Sequence, residues 1–418
     1  MKLLYFDQYF PPEKASGLHL VQDLLDGMAE RGWDVEVCVP TPTRGVDEET
    51  RQLFKREKRV EVTRGGRVIV KRMSLMREDS NPVSRALRFA IFSIKCFCKA
   101  LGARYDVIFT GSGPPTQGFI LGLASRIRHK PLVYNLQDIF PDSLVTTGLT
   151  SEGSLLWLIG RRIEDSSYRS AARIITVSER MRANVIGKGA EIAKLSVVMN
   201  WEDLESVNEV PKAENRLYGE LGIDSARFTV LYAGNLGASQ DLMSLIELAE
   251  DARDLNVQFV IVGSGSEEVR LKAAAKMRDL DNVHFRPLQP LERVSEVYSM
   301  ADVAYVSCAK GVGSAGFPSK CWSIFATSRP VLASFDVESD LGDAIRDFGL
   351  GYVSEPADRS GRYENLLALM SDTPARRAMG RAARCYVEKN GEKIKSVERY
   401  LDIIDSTVLK GSNHGECK

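Results

Sequence analysis

Short apolar runs recur along this chain, and stretches with helical spacing lie between most of them. Residues 3–7, 35–39, 106–110, 132–136, 173–177 and 195–199 read as buried strands. So do 228–232, 258–262, 283–285, 302–307 and 331–334. Strands that are apolar on both faces belong in parallel sheets covered by helices. The helix predicted over 18–31 places Leu18, Val21, Leu24, Leu25 and Met28 on one face and ends at Gly32. The alternation pauses at 201–214 (WEDLESVNEVPKAE), which is acidic, weakly periodic and interrupted by Pro211, and then begins again. Two doubly wound α/β domains follow from that restart, and a length of 418 residues accommodates them. The expected division is 1–203, 204–385, and a C-terminal helix and tail over 386–418 that packs back on the first domain.

Composition narrows the partners. Lys+Arg and Asp+Glu each total 56, so no overall field favours nucleic acid. The seven cysteines are scattered and include no CxxC pair, which argues for a reducing compartment and against a disulfide framework or zinc site. The opening MKLLYFDQYFPPE has too short an apolar run for a signal peptide, and no run is long enough to span a bilayer. A cytoplasmic protein is expected.

Ligands of open α/β sheets gather beyond the carboxyl ends of the strands. Three glycine loops fall there in the second half: 234–237, 263–265 and 311–320. The last opens GVGSAGFPSKCWSIFATSRPVLA, in which Ser319 is placed to cap a helix that starts at Lys320 and stops before Pro330. Glycine amides and a lysine in the first turn suit a phosphate; the plainer alternative is an ordinary strand-to-helix turn. Together the loops suggest a nucleotide diphosphate on the second domain and the other reactant on the first, across a cleft. In the first domain Gly17 lies in QYFPPEKASG without a G-x-G-x-x-G spacing, which disfavours nicotinamide or flavin. Asp138 is either a site carboxylate or a helix cap. On the helix expected over 82–104, Val83, Leu87, Ala90, Ile94, Phe97, Cys98 and Leu101 form an apolar face. Arg85, Arg88, Lys95 and Lys99 form a basic stripe with Phe92 inside it and Phe89 beside it. That stripe is either a solvated face or one that meets anionic lipid head groups.

The ordered set YFDQYFPPEKASG, NLQDIFPDS, IITVSE, VVMNW, YAGNLGASQDL, FVIVGSGSE and GVGSAGFPSKCWSIFATSRPVLA resembles the retaining GT-B glycosyltransferases of the large family that includes sucrose synthases. It is most similar to bacterial transferases that add amino- or deoxy-sugars to lipid-linked O-antigen, capsule or colanic-acid units. The resemblance implies a GT-B fold, two Rossmann-like domains facing across a cleft. It implies a UDP-sugar donor, with an N-acetylated amino or deoxyamino sugar, and a polyprenyl-diphosphate-linked saccharide acceptor. It also implies no cofactor beyond that donor, and a place at the inner face of the cell membrane. No clustered D-x-D suggests a metal. Residue by residue, Asp138 and Lys320 are the implied catalytic groups. Gly17, Asn235, Gly237, Gly263, Gly316, Pro318 and Ser319 are placed around the donor, with Arg286 as a further cation. Where many relatives carry an E-x7-E pair, this chain has Gly316 and Ser323; where they carry an arginine–lysine pair, it has Asn235 and Gln240. Ser323 keeps a hydroxyl that can bond a ribose. Two further readings stand beside transfer: a nucleotide-sugar 2-epimerase, for which His19 is the histidine near a loop of the expected cleft, and a non-catalytic partner of another transferase.

Overall fold

The computed structural model describes residues 1–13, 15, 17–78, 81–146, 150–313 and 316–413. The chain forms two compact units, Met1–Met199 together with the chain from Ile394 onward, and Asn200–Lys393.

The first unit holds β1 (Lys2–Phe6), β2 (Asp34–Pro40), β3 (Val60–Thr63), β4 (Val68–Met73), β5 (Val107–Gly111), β6 (Leu132–Leu136), β7 (Arg173–Thr176) and β8 (Leu195–Val197). Their order in the sheet is β3-β4-β2-β1-β5-β6-β7-β8. Every pairing is parallel except β3 with β4, which turn back on each other through Arg64–Gly66. The chain winds one way from β1 to β2 and β4, and the other way from β5 to β8. Right-handed crossovers therefore put helices on both faces. Pro82–Gly102, Gln117–Arg128 and Leu155–Ser170 cover one face; Leu18–Glu30 covers the other. The C-terminal helix Lys393–Asn413 joins Leu18–Glu30. A Cβ at Gly27 would lie 2.5 Å from Val397 Cγ1, Trp33 Nε1 donates to Asp405 at 2.9 Å, and Arg31 pairs with Asp402 at 2.7 Å.

The second unit holds β9 (Phe228–Asn235), β10 (Val257–Ser264), β11 (Val283–Arg286), β12 (Val303–Ser307), β13 (Val331–Ser334) and β14 (Gly351–Ser354). All pairings are parallel, in the order β11-β10-β9-β12-β13-β14. Val230, Tyr232, Phe259, Ile261, Val303, Tyr305 and Leu332 from four strands meet Leu245, Ile246 and Leu271 from two helices in one buried core. Three elements go beyond the sequence expectations: the helix Asp340–Phe348, which Ser339 caps and Gly349 ends, the helix Arg359–Ser371, which Asp358 caps, and β14. β14 is an edge strand of four residues, only two of them buried, so it carries too little apolar pattern to announce itself. Residues 200–203 join this unit because the amide of Glu202 donates to Gly391 O (2.9 Å) and its carbonyl accepts from the Lys393 amide (3.2 Å).

Candidate active site

In the second unit the winding reverses between β9 and β12, so their carboxyl ends splay apart and leave a crevice. Lys320 opens the helix Lys320–Ala326 that follows β12, and its side chain turns back to the end of β9. Its Nζ lies 3.8 Å from the centre of the Tyr232 ring, and a Cβ on Gly234 would be 3.2 Å from it. Gly234 has φ 139°, a conformation that side chains rarely adopt, and its bareness leaves room for the ammonium. Loss of hydration pushes Lys320 down to about 8, and among the described residues no carboxylate pairs with it. A partly buried cation without a counter-ion, held on an aromatic face, is one half of an ion pair awaiting an anion.

Around it the loops are tightly fixed. A Cβ on Gly263 would strike Gly234 O at 1.9 Å, and one on Gly265 would strike Leu236 O at 2.4 Å, so the ends of β9 and β10 touch through bare backbone. Asn235 Nδ2 donates to Gln240 Oε1 at 3.3 Å, and a Cβ on Gly237 would lie 2.7 Å from that same Asn235 nitrogen. Where relatives are expected to carry two cations, this chain has a neutral pair bonded to each other. Ser307 Oγ donates to Gln240 O (2.5 Å) and the Ala309 amide to Ser239 O (2.9 Å), which ties the β12 loop to the β9 loop.

Several expectations for the glycine stretch need correction. The amides of Gly311 and Gly313 donate to the carboxylate of Asp336, at 2.9 and 2.7 Å, so these two amides are already engaged by the protein's own anion. Ser319 occupies the N-cap position but makes no side-chain cap: its backbone is right-handed helical (φ −57°, ψ −31°), whereas a capping serine is extended. Ser314 and Ala315 lie outside the described residues. Gly316 has φ 156°, so a side chain there would strain the backbone as well as add a group. Beside Pro318, Phe317 stacks on Trp322 of the following helix at 4.9 Å, and Tyr386 lies 6.3 Å from Trp322. Ser323, one turn beyond Lys320, donates its hydroxyl to the carboxylate of Glu202. Glu202 is buried and comes from the segment read as a connection, so the sequence gives no sign that it reaches this helix. Arg286 is not available as a diphosphate cation. Its guanidinium donates to the carbonyls of Leu221, Phe285 (2.9 Å) and Gly222 (3.3 Å) and fastens β11 to the loop after Leu217–Glu220.

In the first unit the reversal falls between β1 and β5. Gly17 has φ 76° and begins the helix after β1; its own Cβ position is open apart from Leu20, so a left-handed turn accounts for it. Tyr5 donates to Asp7 at 2.5 Å, and Tyr400 of the C-terminal helix donates to Asn135 at 3.0 Å. Asp138 follows β6. Ser112, in the loop after β5, accepts from the amides of Gln137 (3.1 Å) and Asp138 (3.2 Å) and so joins the two strand ends. The Asp138 side chain is exposed, yet the surrounding protein desolvates it and the Asp142 carboxylate repels it. Its carboxyl is therefore raised, against a hydrogen bond from Ser143.

The helix Pro82–Gly102 is turned the opposite way from the basic lipid-facing reading. Arg88 and Phe92 are about 1% exposed, and Phe89 is half-buried. Arg88 donates to Met76 O and lies near the carboxylates of Glu78 and Glu13, which attract it inward. Lys95 donates to Ser74 O at 2.7 Å and Lys99 pairs with Glu36 at 2.5 Å. Of the basic stripe only Arg85 is exposed; the apolar residues Val83, Leu87 and Ile94 face outward.

Residues 19–201 match the glycosyl transferase 4-like domain and residues 215–385 the glycosyl transferases group 1 domain. The putative colanic acid biosynthesis glycosyl transferase WcaI of Escherichia coli K12 is 23% identical over 97% of this chain and its own full length. The probable glycosyltransferase WbjE of Pseudomonas aeruginosa is 23% identical over 67% of this chain and 69% of its own. Among solved structures, Anabaena HepE in complex with UDP and glucose superposes with a TM-score of 0.72 at 17% identity, over 97% of this chain and 100% of its own. Sucrose-phosphate synthase of Thermosynechococcus elongatus gives 0.75 at 16% identity, over 98% and 99%. With two parallel-sheet domains in that order and both domain families matched, the chain belongs to the GT-B glycosyltransferases.

Proposed function

We propose that this protein transfers a sugar, an N-acetylated amino or deoxyamino sugar, from UDP to a lipid-linked saccharide in the synthesis of a surface polysaccharide, with retention of configuration. The observation that carries this reading is Lys320, a desolvated cation at the switch point of the second sheet with no carboxylate paired to it among the described residues. A diphosphate there restores to Lys320 the full charge that burial disfavours. As the bond from the anomeric carbon to the diphosphate oxygen breaks, negative charge grows on that oxygen. Lys320 stabilises it without a metal. The acceptor hydroxyl attacks on the face the diphosphate leaves, and its proton passes to the departing phosphate oxygen. Ser323, oriented by Glu202, takes a ribose hydroxyl, and Asp138 receives hydroxyls of the reacting sugars in the first unit. WcaI, by name a putative colanic acid biosynthesis glycosyl transferase, supports the surface-polysaccharide reading, and the UDP in HepE supports the donor.

The test is release of free UDP by purified protein from a panel of UDP-sugars, with and without a polyprenyl-diphosphate saccharide. Release that requires the acceptor supports transfer. A second reading, a non-catalytic partner subunit, draws on the neutral Asn235–Gln240 pair and on Gly316. UDP that binds but is never released from any donor would favour that reading and end the first.

A further inference from the structure

Three adjacent strands of the first unit end in a row of residues that the transfer chemistry above does not use. Phe6 at the end of β1 is in register with Thr110 of β5, and Gly111 of β5 is in register with Asn135 of β6. One step past Phe6, Asp7 therefore falls level with Gly111 and Asn135. Side chains in register on parallel strands share a face of the sheet. The rings one layer down lie on that same face. Tyr5 meets Phe109 edge-on at 5.2 Å, and Phe109 meets Tyr400 of the C-terminal helix at 6.3 Å. Strands lie about 4.8 Å apart, so the backbones of Asp7 and Asn135 stand roughly 10 Å apart with bare Gly111 between them. Beyond its own chain neighbours, a Cβ on Gly111 would meet nothing nearer than Asn135 O at 4.0 Å, so the space directly above it is open.

Two donors converge on one end of the Asn135 side chain. Tyr400 donates its hydroxyl to Asn135 Oδ1 at 3.0 Å, and Gln137 Nε2 donates to the same atom at 3.3 Å. A carboxamide has an acceptor end and a donor end, so fixing Oδ1 also fixes where the two N–H groups of Nδ2 go. Those N–H groups meet no acceptor among the described residues. Asn135 is only partly buried, whereas Val133, Tyr134 and Leu136 around it are buried, so its donors stay within reach of a ligand. Opposite them, Asp7 offers acceptor oxygens. Tyr5 donates to one at 2.5 Å, and the amides of Gln8 and Tyr9 donate to the other at 2.7 and 3.5 Å. A carboxylate has about four lone-pair sites, so Asp7 can take a further donor. Donors on one side and acceptors on the other suit hydroxyl groups, which do both. An apolar ligand would leave the Nδ2 donors unpaired, and Asp7 repels an anion.

We propose that Asn135 recognises the acceptor saccharide, its carboxamide donating to a sugar oxygen above Gly111, and that Tyr400 is a positioning residue that holds the carboxamide in the donating orientation. This rests on the proposed transfer to a lipid-linked saccharide and names the residues that read its sugar. The diphosphate of such an acceptor is kept away by Asp7, so the sugar is the part received here. The row is continuous with the loop that carries Asp138. Gln137, which donates to Asn135, gives its own amide to Ser112, and Ser112 also accepts from the Asp138 amide. Tyr400, Asn135, Gln137, Ser112 and the Asp138 backbone thus form one hydrogen-bonded run. The C-terminal helix, through one hydroxyl, contributes to the choice of substrate as well as to the packing of the unit.

The test uses the full chain and three probe acceptors, polyprenyl diphosphate bearing glucose, galactose or N-acetylglucosamine, with UDP release as the readout. Asn135→Asp keeps the side-chain shape and still accepts from Tyr400 and Gln137, but it has no N–H to give. Acceptor KM should rise at least about tenfold while UDP affinity stays within about twofold. Tyr400→Phe keeps the ring against Phe109 and loses only the hydroxyl. Acceptor KM should rise about threefold with kcat within about twofold. In the Asn135→Asp background the same change should add nothing, because the orientation of a group that no longer donates is immaterial. A tyrosine that served only the fold would cost the same in both backgrounds. Probe acceptors with hydroxyls replaced one at a time by hydrogen give a second reading, which holds even if Asn135→Asp fails to fold. One such acceptor should lose at least about tenfold in kcat/KM with the unaltered protein, and far less with Asn135→Ala. An unchanged acceptor KM in Asn135→Asp, additive effects of the two changes, or equal use of every deoxygenated acceptor overturns the proposal and leaves transfer standing. UDP release with none of the three probes overturns it together with the transfer reading.

Discussion

The two sheets reverse their winding in the same way, yet the two reversals are chemically opposite. In the first unit the ends of β1, β5 and β6 carry hydroxyls, amides and carboxylates that hold one another: Tyr5 on Asp7, Ser112 under Gln137 and Asp138, Tyr400 on Asn135. In the second unit the crevice between β9 and β12 holds Lys320 on the Tyr232 ring, its charge lowered by lost hydration. The first suits a neutral polyol, recognised by many hydrogen bonds; the second suits an anion. Topology locates both crevices, and a handful of side chains decides what each receives.

The widest departure from that contrast should come from Lys320→Ala, which removes the only charge argued to face the anion. Transfer should fall at least about tenfold, the scale of one lost charge-assisted donor. Unchanged turnover would make the two crevices equivalent. The same lysine sharpens the contrast through pH. Its folded value near 8 lies below that of the unfolded chain, so from pH 8 upward the empty protein has released a proton that the unfolded chain retains. Stability of the empty protein therefore rises with pH over that window. An anion restores the proton, so UDP binding above pH 8 should consume one. Calorimetry in buffers of different ionisation enthalpy reads that uptake, and Lys320→Met should abolish it.

Asp138→Asn tests the first crevice. It should reduce transfer by about tenfold through misplaced sugar hydroxyls while leaving UDP affinity within about twofold. An equal loss in UDP affinity would assign Asp138 to the donor. Ser323→Ala should weaken UDP binding by about fivefold, the worth of one hydrogen bond, with loss of the Glu202 contact. The smallest effect on binding belongs to Arg286→Lys. UDP affinity should not change, while the midpoint of thermal unfolding falls by a few degrees as bonds to Leu221 and Gly222 are lost. A large drop in affinity would return Arg286 to the site.

The fold is written locally and was correspondingly legible. Each strand in 3–7, 132–136 or 228–232 is an apolar run bounded by polar turns, and the order of strands and helices alone implies two parallel sheets. Loop glycines were legible as glycines, but their purposes were not. Gly234 makes room for an ammonium, Gly263 for a neighbouring carbonyl, and Gly313 for the Phe335 ring, and those partners are distant in sequence. The same holds for Asp336, which takes the amides of Gly311 and Gly313 that by their local sequence suit a phosphate.

The helix Pro82–Gly102 states the limit most clearly. Its sequence determines that it has an apolar side and a basic side, because side chains repeat every three to four residues on a helix. Which side is buried depends on what lies beneath. There the Glu78 and Glu13 carboxylates and the Met76 carbonyl draw Arg88 inward, and Leu87 and Ile94 are left in the open. By itself the sequence determined two doubly wound units, a lysine after a glycine loop and a carboxylate after β6, since these depend on neighbours along the chain. Only the tertiary structure decided that Lys320 meets Tyr232 and Gly234, that Ser323 meets Glu202, and which helix faces meet solvent. Those outcomes depend on charges and backbone brought together from far apart, and no local pattern encodes them.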